Sequence, residues 1–182
     1  FFIVASIDRS KKHKGVTAFV ADPREMKGMT IGDFPMRTLK RDNLAEVHFE
    51  DTFVPDEAVL GEAGRGFPIL GSALDMGRFS VAARCVGQSQ RAIDLTAPYA
   101  MDREAFGQPI GEFQLVQQKL AEMVARTEQA RQLVYRLGRM KDAGVERCSL
   151  ESSLAKWKSS VAATQNALDG MAVFGGYSVT AE

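Results

Sequence analysis

Three short stretches combine side chains that could do chemistry. The first is REAFGQPIGEFQ, residues 103–114. Arg103 stands where one helical pattern stops, and Gly107 and Pro109 follow closely. A guanidinium fixed at such a turn presents a planar donor fork that suits a phosphate or a carboxylate. Phe106 could pack on a planar ligand, and Gln114 offers a donor and an acceptor where the next helical pattern begins. The second stretch is DMGR, in which Asp75 and Arg78 lie three apart and so share a helical face. They can pair with each other or hold a polar ligand. The third is AVFGG, residues 172–176, whose paired glycines at a helix end let a ligand approach the backbone closely. Each stretch also has a structural reading, respectively a helix connection, a surface ion pair and a helix stop. On composition alone the structural readings are preferred.

Other chemistries find no support. The chain carries no P-loop, G-x-G-x-x-G, zinc-ligand spacing or nucleophile elbow. His13 lies in a basic loop and His48 on the polar side of a strand pattern, and nothing places a serine beside either. Cys85 and Cys148 lack metal or redox spacing, which points to a reduced, intracellular compartment. The 23 basic and 23 acidic residues cancel, and that balance argues against a general nucleic-acid or membrane-surface binder. No apolar run is long enough to span a bilayer. The local run RSKKHK, residues 9–14, reads as a solvated hairpin loop.

The elements that must position these residues divide into strands, then helices. FFIVASID and GVTAFVAD are β-branched and aromatic and flank the basic loop, the pattern of a hairpin. MTIGDF and AEVHFEDTFVP follow, with Pro23, Gly28 and Pro35 as punctuation. In the last run Val47 and Phe49 alternate with Glu46, His48 and Glu50, which predicts one apolar face and one wet face. Four strands in a thin antiparallel sheet are expected, and Phe1 opening in full stride suggests part of a longer protein.

From Pro68 to about Arg103 the apolar spacing is helical; Gly71, Gly77 and Gly87 weaken the helix, and Pro98 should kink it if it continues. Residues 111–144 form a clear amphipathic helix on the stripe Val116, Leu120, Met123, Val124, Ala130, Val134, Leu137 and Met140, with Gly144 as the C-terminal stop. Ser149 begins a third helix that ends at Gly175-Gly176, and its apolar Leu150, Leu154, Trp157, Val161, Leu168 and Met171 are read as core. The fold class is α+β: an antiparallel β-domain portion, residues 1–62, followed by an antiparallel helical bundle, residues 63–182.

The stretch YAMDREAFGQPIGEFQLVQQKLAEM resembles the signature of the acyl-CoA dehydrogenase family. VHFEDTFVPDEAVLGEAGRGFPIL resembles that family's passage from its middle β domain into its C-terminal helices, LDMGR its first C-terminal helix, and FGGYSVTAE its glycine-glycine turn. The likeness keeps the family's order over nearly the whole chain. It implies FAD as cofactor, fatty acid metabolism, and the fold of the end of a middle β domain plus most of a C-terminal helical domain. It implies that Arg103 reaches the pyrophosphate of an FAD bound by a neighbouring subunit, and that Phe106, Phe113 and Gln114 line the same cofactor. Ala172, Val173, Phe174, Gly175 and Gly176 then contact its adenosine half, and Asp75 and Arg78 face the acyl-CoA substrate. A shared site implies a homodimer or homotetramer, and the chemistry implies an electron-transferring flavoprotein as partner. Bacterial cytoplasm or mitochondrial matrix are the implied compartments.

The family's reaction removes an α proton with a glutamate while hydride passes from Cβ to flavin N5. One place where members carry that glutamate is Gly77 here, and the other lies downstream of the glycine-glycine turn, so no catalytic base is matched in the chain. Ala172 replaces a glutamine, Thr38 a glycine and Asp42 a serine common in the family, which fits a divergent branch. An oxidase-like or desulfinating flavoenzyme of the same fold is the alternative activity. A non-catalytic helical interaction module is the alternative class.

Overall fold

The structure is a computed structural model that describes residues 1–34 and 44–180. Thr38 and Asp42, two of the departures noted above, lie outside the described residues, as does Glu182. The chain forms two compact units, Phe1–Gly71 and Ser72–Glu182.

In the first unit, β1 (Phe2–Ser6) and β2 (Val16–Val20) form the expected antiparallel hairpin, from Phe2 opposite Val20 to Ser6 opposite Val16. The basic run between them winds into tight 3-10 turns over Arg9–Gly15. Asp8 caps these turns, accepting from the Ser10 backbone N–H at 3.0 Å and its hydroxyl at 2.6 Å. Gly15 closes the loop because a Cβ there would lie 2.0 Å from the Asp8 carbonyl oxygen.

β3 (Met29–Phe34) and β4 (Leu44–Phe49) pair antiparallel, with Ile31 opposite Val47 and Met29 opposite Phe49. Among the described residues they do not extend the first hairpin into a four-stranded sheet. One edge of that hairpin, at β2, is closed to such pairing. The second edge of β2 is taken by residues beyond the strands, through a bridge from Phe19 to Val59 and a hydrogen bond from the Leu60 N–H to the Ala18 carbonyl at 2.8 Å. The expected apolar face of β4 is present in register but exposed: Ile31, Val47 and Phe49 all lie open.

The second unit is a three-helix bundle. α1 (Gly66–Asp102) starts within the first unit and runs on with Pro98 inside its last turns. α2 (Gln114–Asp142) and α3 (Ser149–Phe174) complete the bundle. α2 starts three residues later than the pattern suggested, because Ile110–Glu112 forms a separate 3-10 turn. It ends as expected at Gly144, with φ +76°. There the Gly144 N–H bonds to the Lys141 carbonyl and the Val145 N–H to that of Met140, both at 3.0 Å, which is a Schellman cap.

Contacts fix the helix directions. Asp75 on α1 meets Ser149 and Ser152 at the start of α3, and Tyr99 meets Phe174 at its end, so α1 and α3 run the same way. α2 runs against both, since Gln90 meets Arg131, Lys119 meets Asp169, and Arg136 meets Glu151. The core gathers Ala82 and Val86 of α1, Ala130, Val134 and Leu137 of α2, and Ala155 and Ala162 of α3, closed by Cys148.

The third helix corrects the sequence reading. Its buried face is Ser152, Ala155, Ser159, Ala162, Asn166, Gly170 and Val173. The residues expected in the core face outward instead: Leu150, Trp157, Val161, Leu168 and Met171 are exposed, and Leu154 is only partly buried. Small side chains let α3 approach its neighbours too closely for large ones. A Cβ at Gly170 would already lie 2.9 Å from the Thr96 hydroxyl oxygen.

A buried polar network ties α2 to α3 on this face. Asn166, fully buried, donates to the Met123 carbonyl at 3.1 Å and to Thr127 Oγ1 at 2.8 Å. It accepts from Arg126 Nε at 3.1 Å. Arg126 also pairs with Asp169, which holds Lys119 at 3.0 Å. Burial opposes ionisation of Asp169, but the hydrogen bonds and charges of Lys119 and Arg126 outweigh it and hold its carboxyl below the usual range.

Candidate functional site at the end of the helical bundle

The turn between α1 and α2 is built by local rules. β5 (Glu104–Ala105) and β6 (Gln108–Pro109) form a minimal hairpin, anchored where the Ile110 N–H bonds to the Arg103 carbonyl at 2.8 Å. Its two central residues, Phe106 and Gly107, have φ of +55° and +84°. A two-residue hairpin of this hand needs positive φ at both positions. Glycine supplies that freely, whereas a phenylalanine costs about 1–2 kcal/mol there. The strained Phe106 is also 97% exposed, with only the edge of Phe113 at 6.3 Å between centroids for company. Such an arrangement neither stabilises the turn nor fills a core.

Two clefts adjoin this turn. The first, of about 500 Å3, is lined by Tyr99, Arg103, Phe174, Gly175, Gly176 and Tyr177. Tyr99 stacks on Phe174 at 4.3 Å, and the Arg103 guanidinium lies 5.8 Å from the Tyr177 ring centre. Arg103 itself is exposed. Gly175, with φ +61°, ends α3, and a Cβ at Gly175 or Gly176 would meet nothing within 4 Å, so the backbone there is open to approach. The second cleft, of about 700 Å3, is lined by Phe106, Phe113, Gln114, Lys119, Ala172 and Val173 among others. Ile110 and Val173 line both.

All nine residues expected to bind a cofactor therefore gather around these two clefts, within the second unit. Tyr99, Tyr177 and Lys119 join them without having been anticipated. Tyr99 had a usable signal, since it precedes Arg103 by one helical turn. Tyr177 directly follows the glycine pair.

Asp75 and Arg78 sit elsewhere. Roughly 36 Å of helix separates Arg78 from the end of α1, at 1.5 Å per residue. Asp75 is buried, and its carboxylate accepts from Ser149 at 2.7 Å, Ser152 at 3.1 Å and Arg78 at 2.9 Å. Burial opposes its ionisation, yet the bonds from Ser149, Ser152 and Arg78 prevail and hold the carboxyl below its usual range. The carboxylate thus fastens α1 to the start of α3 and leaves Arg78, with 40% of its side chain exposed, as the group able to meet a ligand.

Gly77 lies one residue before Arg78, and a Cβ there would meet nothing within 4 Å. The position has room for a side chain but carries none. A general base of the kind a thioester α proton requires needs a raised carboxyl pKa. Asp75, which is buried, and Asp169, which is partly buried, both shift the other way. Among the described residues no group of histidine, cysteine, aspartate and glutamate is arranged to hold a metal ion. No helix of the described residues is long and apolar enough to cross a membrane.

The chain is similar to known proteins over nearly its whole length. The family model described as "Acyl-CoA dehydrogenase, C-terminal domain" matches residues 64–182. The chain is 36% identical to the short-chain specific acyl-CoA dehydrogenase, mitochondrial, of Rattus norvegicus, over 99% of this chain and 43% of that protein. Among solved structures it resembles butyryl-CoA dehydrogenase from Megasphaera elsdenii at 33% identity and a TM-score of 0.93, covering 98% of this chain and 46% of that one. It resembles the prolyl acyl carrier protein oxidase AnaB at 30% identity and a TM-score of 0.95, covering 99% and 47% respectively. The chain spans less than half the length of the curated relatives it matches.

Proposed function

Since the chain belongs to the acyl-CoA dehydrogenase family, we propose that it is the flavin-clamping part of an FAD-dependent enzyme that oxidises an acyl thioester between Cα and Cβ. Residues 1–62 are read as the end of the β domain and 63–182 as the C-terminal helical domain. The observation that carries the reading is Phe106: a strained aromatic residue, almost wholly exposed, lining the larger of the two clefts.

The residues present fit the dinucleotide. Arg103 would meet its pyrophosphate with a charge-assisted fork. Phe106, Phe113 and Gln114 would cover a planar portion, and the open backbone at Gly175 and Gly176 would admit the adenosine half, beside Ala172, Val173 and Phe174. FAD, when bound, supplies the hydride acceptor. Everything this chain adds is binding and orientation. Arg78, positioned by Asp75, would face the substrate. Gly77 carries no side chain and the Asp75 carboxylate is committed to Ser149, Ser152 and Arg78, so the base is assigned to the rest of the protein.

Arg78 and Arg103 stand toward opposite ends of one long helix, and, as the family resemblance implies, the clamp of one copy is read as serving the site of another. That reading implies a homodimer or homotetramer. An acyl-CoA is the first substrate to try, with an electron-transferring flavoprotein as acceptor, in bacterial cytoplasm or mitochondrial matrix.

The test is direct. The full-length protein is expected to bind FAD, and a short acyl-CoA is expected to bleach the flavin without oxygen. Arg103→Ala should weaken FAD binding about 10- to 150-fold, the equivalent of about 1.5–3 kcal/mol for a hydrogen bond to a charged group. A colourless protein that gains no thermal stability from FAD would point to the interaction module instead. A flavin that is reduced and then reoxidised rapidly by oxygen would point to the oxidase-like enzyme.

A further inference from the structure

The charge of this chain is balanced overall but not locally. Residues 8–15 carry Arg9, Lys11, Lys12 and Lys14 against the single carboxylate of Asp8. That carboxylate is already occupied by Ser10 and by Lys11 at 3.4 Å. All four cations are exposed. The loop that bears them is not slack. Asp8 caps it, the Ile7 N–H closes it onto the Gly15 carbonyl at 2.9 Å, and only glycine fits at its end. Lys12 is held at φ +52° and ψ −127°, a region that residues with a side chain rarely occupy. The loop is therefore a pre-ordered platform that spreads positive charge at the turn end of a hairpin. Its four cations are spread over exposed positions rather than gathered in a pocket, which suits a protein face better than a small ligand.

We propose that this loop docks the acidic face of a carrier protein that brings the acyl group as a phosphopantetheine thioester. The inference rests on the thioester-oxidising reading above. A carrier suits a patch of this kind because its thioester rides on a long flexible arm, so the docked surface need not adjoin the reacting atoms. Complementary charge acts mainly on the encounter rate, so the loop should set how fast carrier-borne substrate arrives rather than how fast it reacts.

The first measurement needs no turnover. An acidic acyl carrier protein, fluorescently labelled, is titrated with the full-length protein and read by anisotropy. Binding is expected at about 0.1 M salt and should weaken at least tenfold at about 1 M, where the screening length falls from about 10 to about 3 Å. Lys11→Glu/Lys12→Glu/Lys14→Glu should weaken it at least tenfold, and the neutral Lys→Gln triple by less. Absence of binding, or binding indifferent to salt and to both variants, overturns the proposal.

The second measurement compares flavin reduction by butyryl thioesters of the carrier protein, of CoA and of pantetheine. In the charge-reversed variant kcat/KM should fall at least tenfold for the carrier thioester and stay unchanged for the pantetheine thioester. A loss confined to the CoA thioester would assign the loop to a small phosphate-bearing ligand and overturn the proposal. If none of the three reduces the wild-type flavin, the functional reading fails while the anisotropy result still decides the docking.

Discussion

Phe106 gives the sharpest test of the proposed flavin clamp, because two substitutions separate its backbone from its ring. Phe106→Ala removes the ring and keeps the left-handed strain. Phe106→Gly removes both. In the protein without cofactor the ring contributes little, being 97% exposed with one distant edge contact. Phe106→Ala should therefore change the stability of the cofactor-free protein by less than about 1 kcal/mol. Phe106→Gly should be more stable than the alanine variant by up to about 1.5 kcal/mol. That is the relief of about 1–2 kcal/mol of left-handed strain, less about 0.5–1 kcal/mol for the extra chain entropy of glycine.

Binding should respond quite differently. Burying a phenylalanine side chain against a ligand contributes about 1.5–3 kcal/mol. Both variants should therefore bind FAD about 10- to 150-fold more weakly, by the usual factor of ten per 1.36 kcal/mol. Quenching of flavin fluorescence gives the Kd in the full-length protein, and urea titration gives the stability of the cofactor-free form. FAD affinity within about threefold of wild type in both variants would refute the argument. So would a loss of more than about 2 kcal/mol in the cofactor-free protein, since that would mean the ring is packed in a core.

Three further outcomes follow from the packing. Asn166→Ala removes two donated bonds and one accepted from Arg126 in a fully buried setting, and should destabilise the protein by about 2–4 kcal/mol in urea titration; a change under about 1 kcal/mol would mean water replaces the side chain. Asp75 and Asp169 both have folded-state carboxyls below their usual range. Their stabilisation is complete above the unfolded carboxyl pKa of about 3.9 and is lost as pH falls through the lower folded values. Asp75→Asn should be less stable than wild type at neutral pH, with the difference narrowing below about pH 4; a gap that stays constant to acid would assign the loss to packing rather than to charge. Gly170→Leu should destabilise by about 1–3 kcal/mol or more through overpacking against Thr96, and Leu168→Ala, exposed on the other face, should cost under about 1 kcal/mol; the reverse order would mean α3 is turned around.

The sequence by itself determined what local chemistry controls. The hairpin around the basic loop, the stop at Gly144, the stop at Gly175 and the turn after Arg103 all depend on backbone rules that act over a few residues. The motif around that turn, with its neighbours in order, was also enough to name the family. What the sequence left open is what a periodic pattern cannot contain. α3 carries two candidate faces at helical spacing, one of large apolar residues and one of alanine, serine, asparagine and glycine. The large face reads as core, but close approach to Thr96 and Met123 admits only the small one.

Tertiary structure likewise decided the role of Asp75. Spacing shows that it can reach Arg78, and only the fold brings Ser149 and Ser152 to the same carboxylate. The β2 edge is a third case, since the strand pattern cannot reveal that Val59 and Leu60 return to occupy it. In each case the deciding partner lies far along the chain, and distance in sequence is what folding removes.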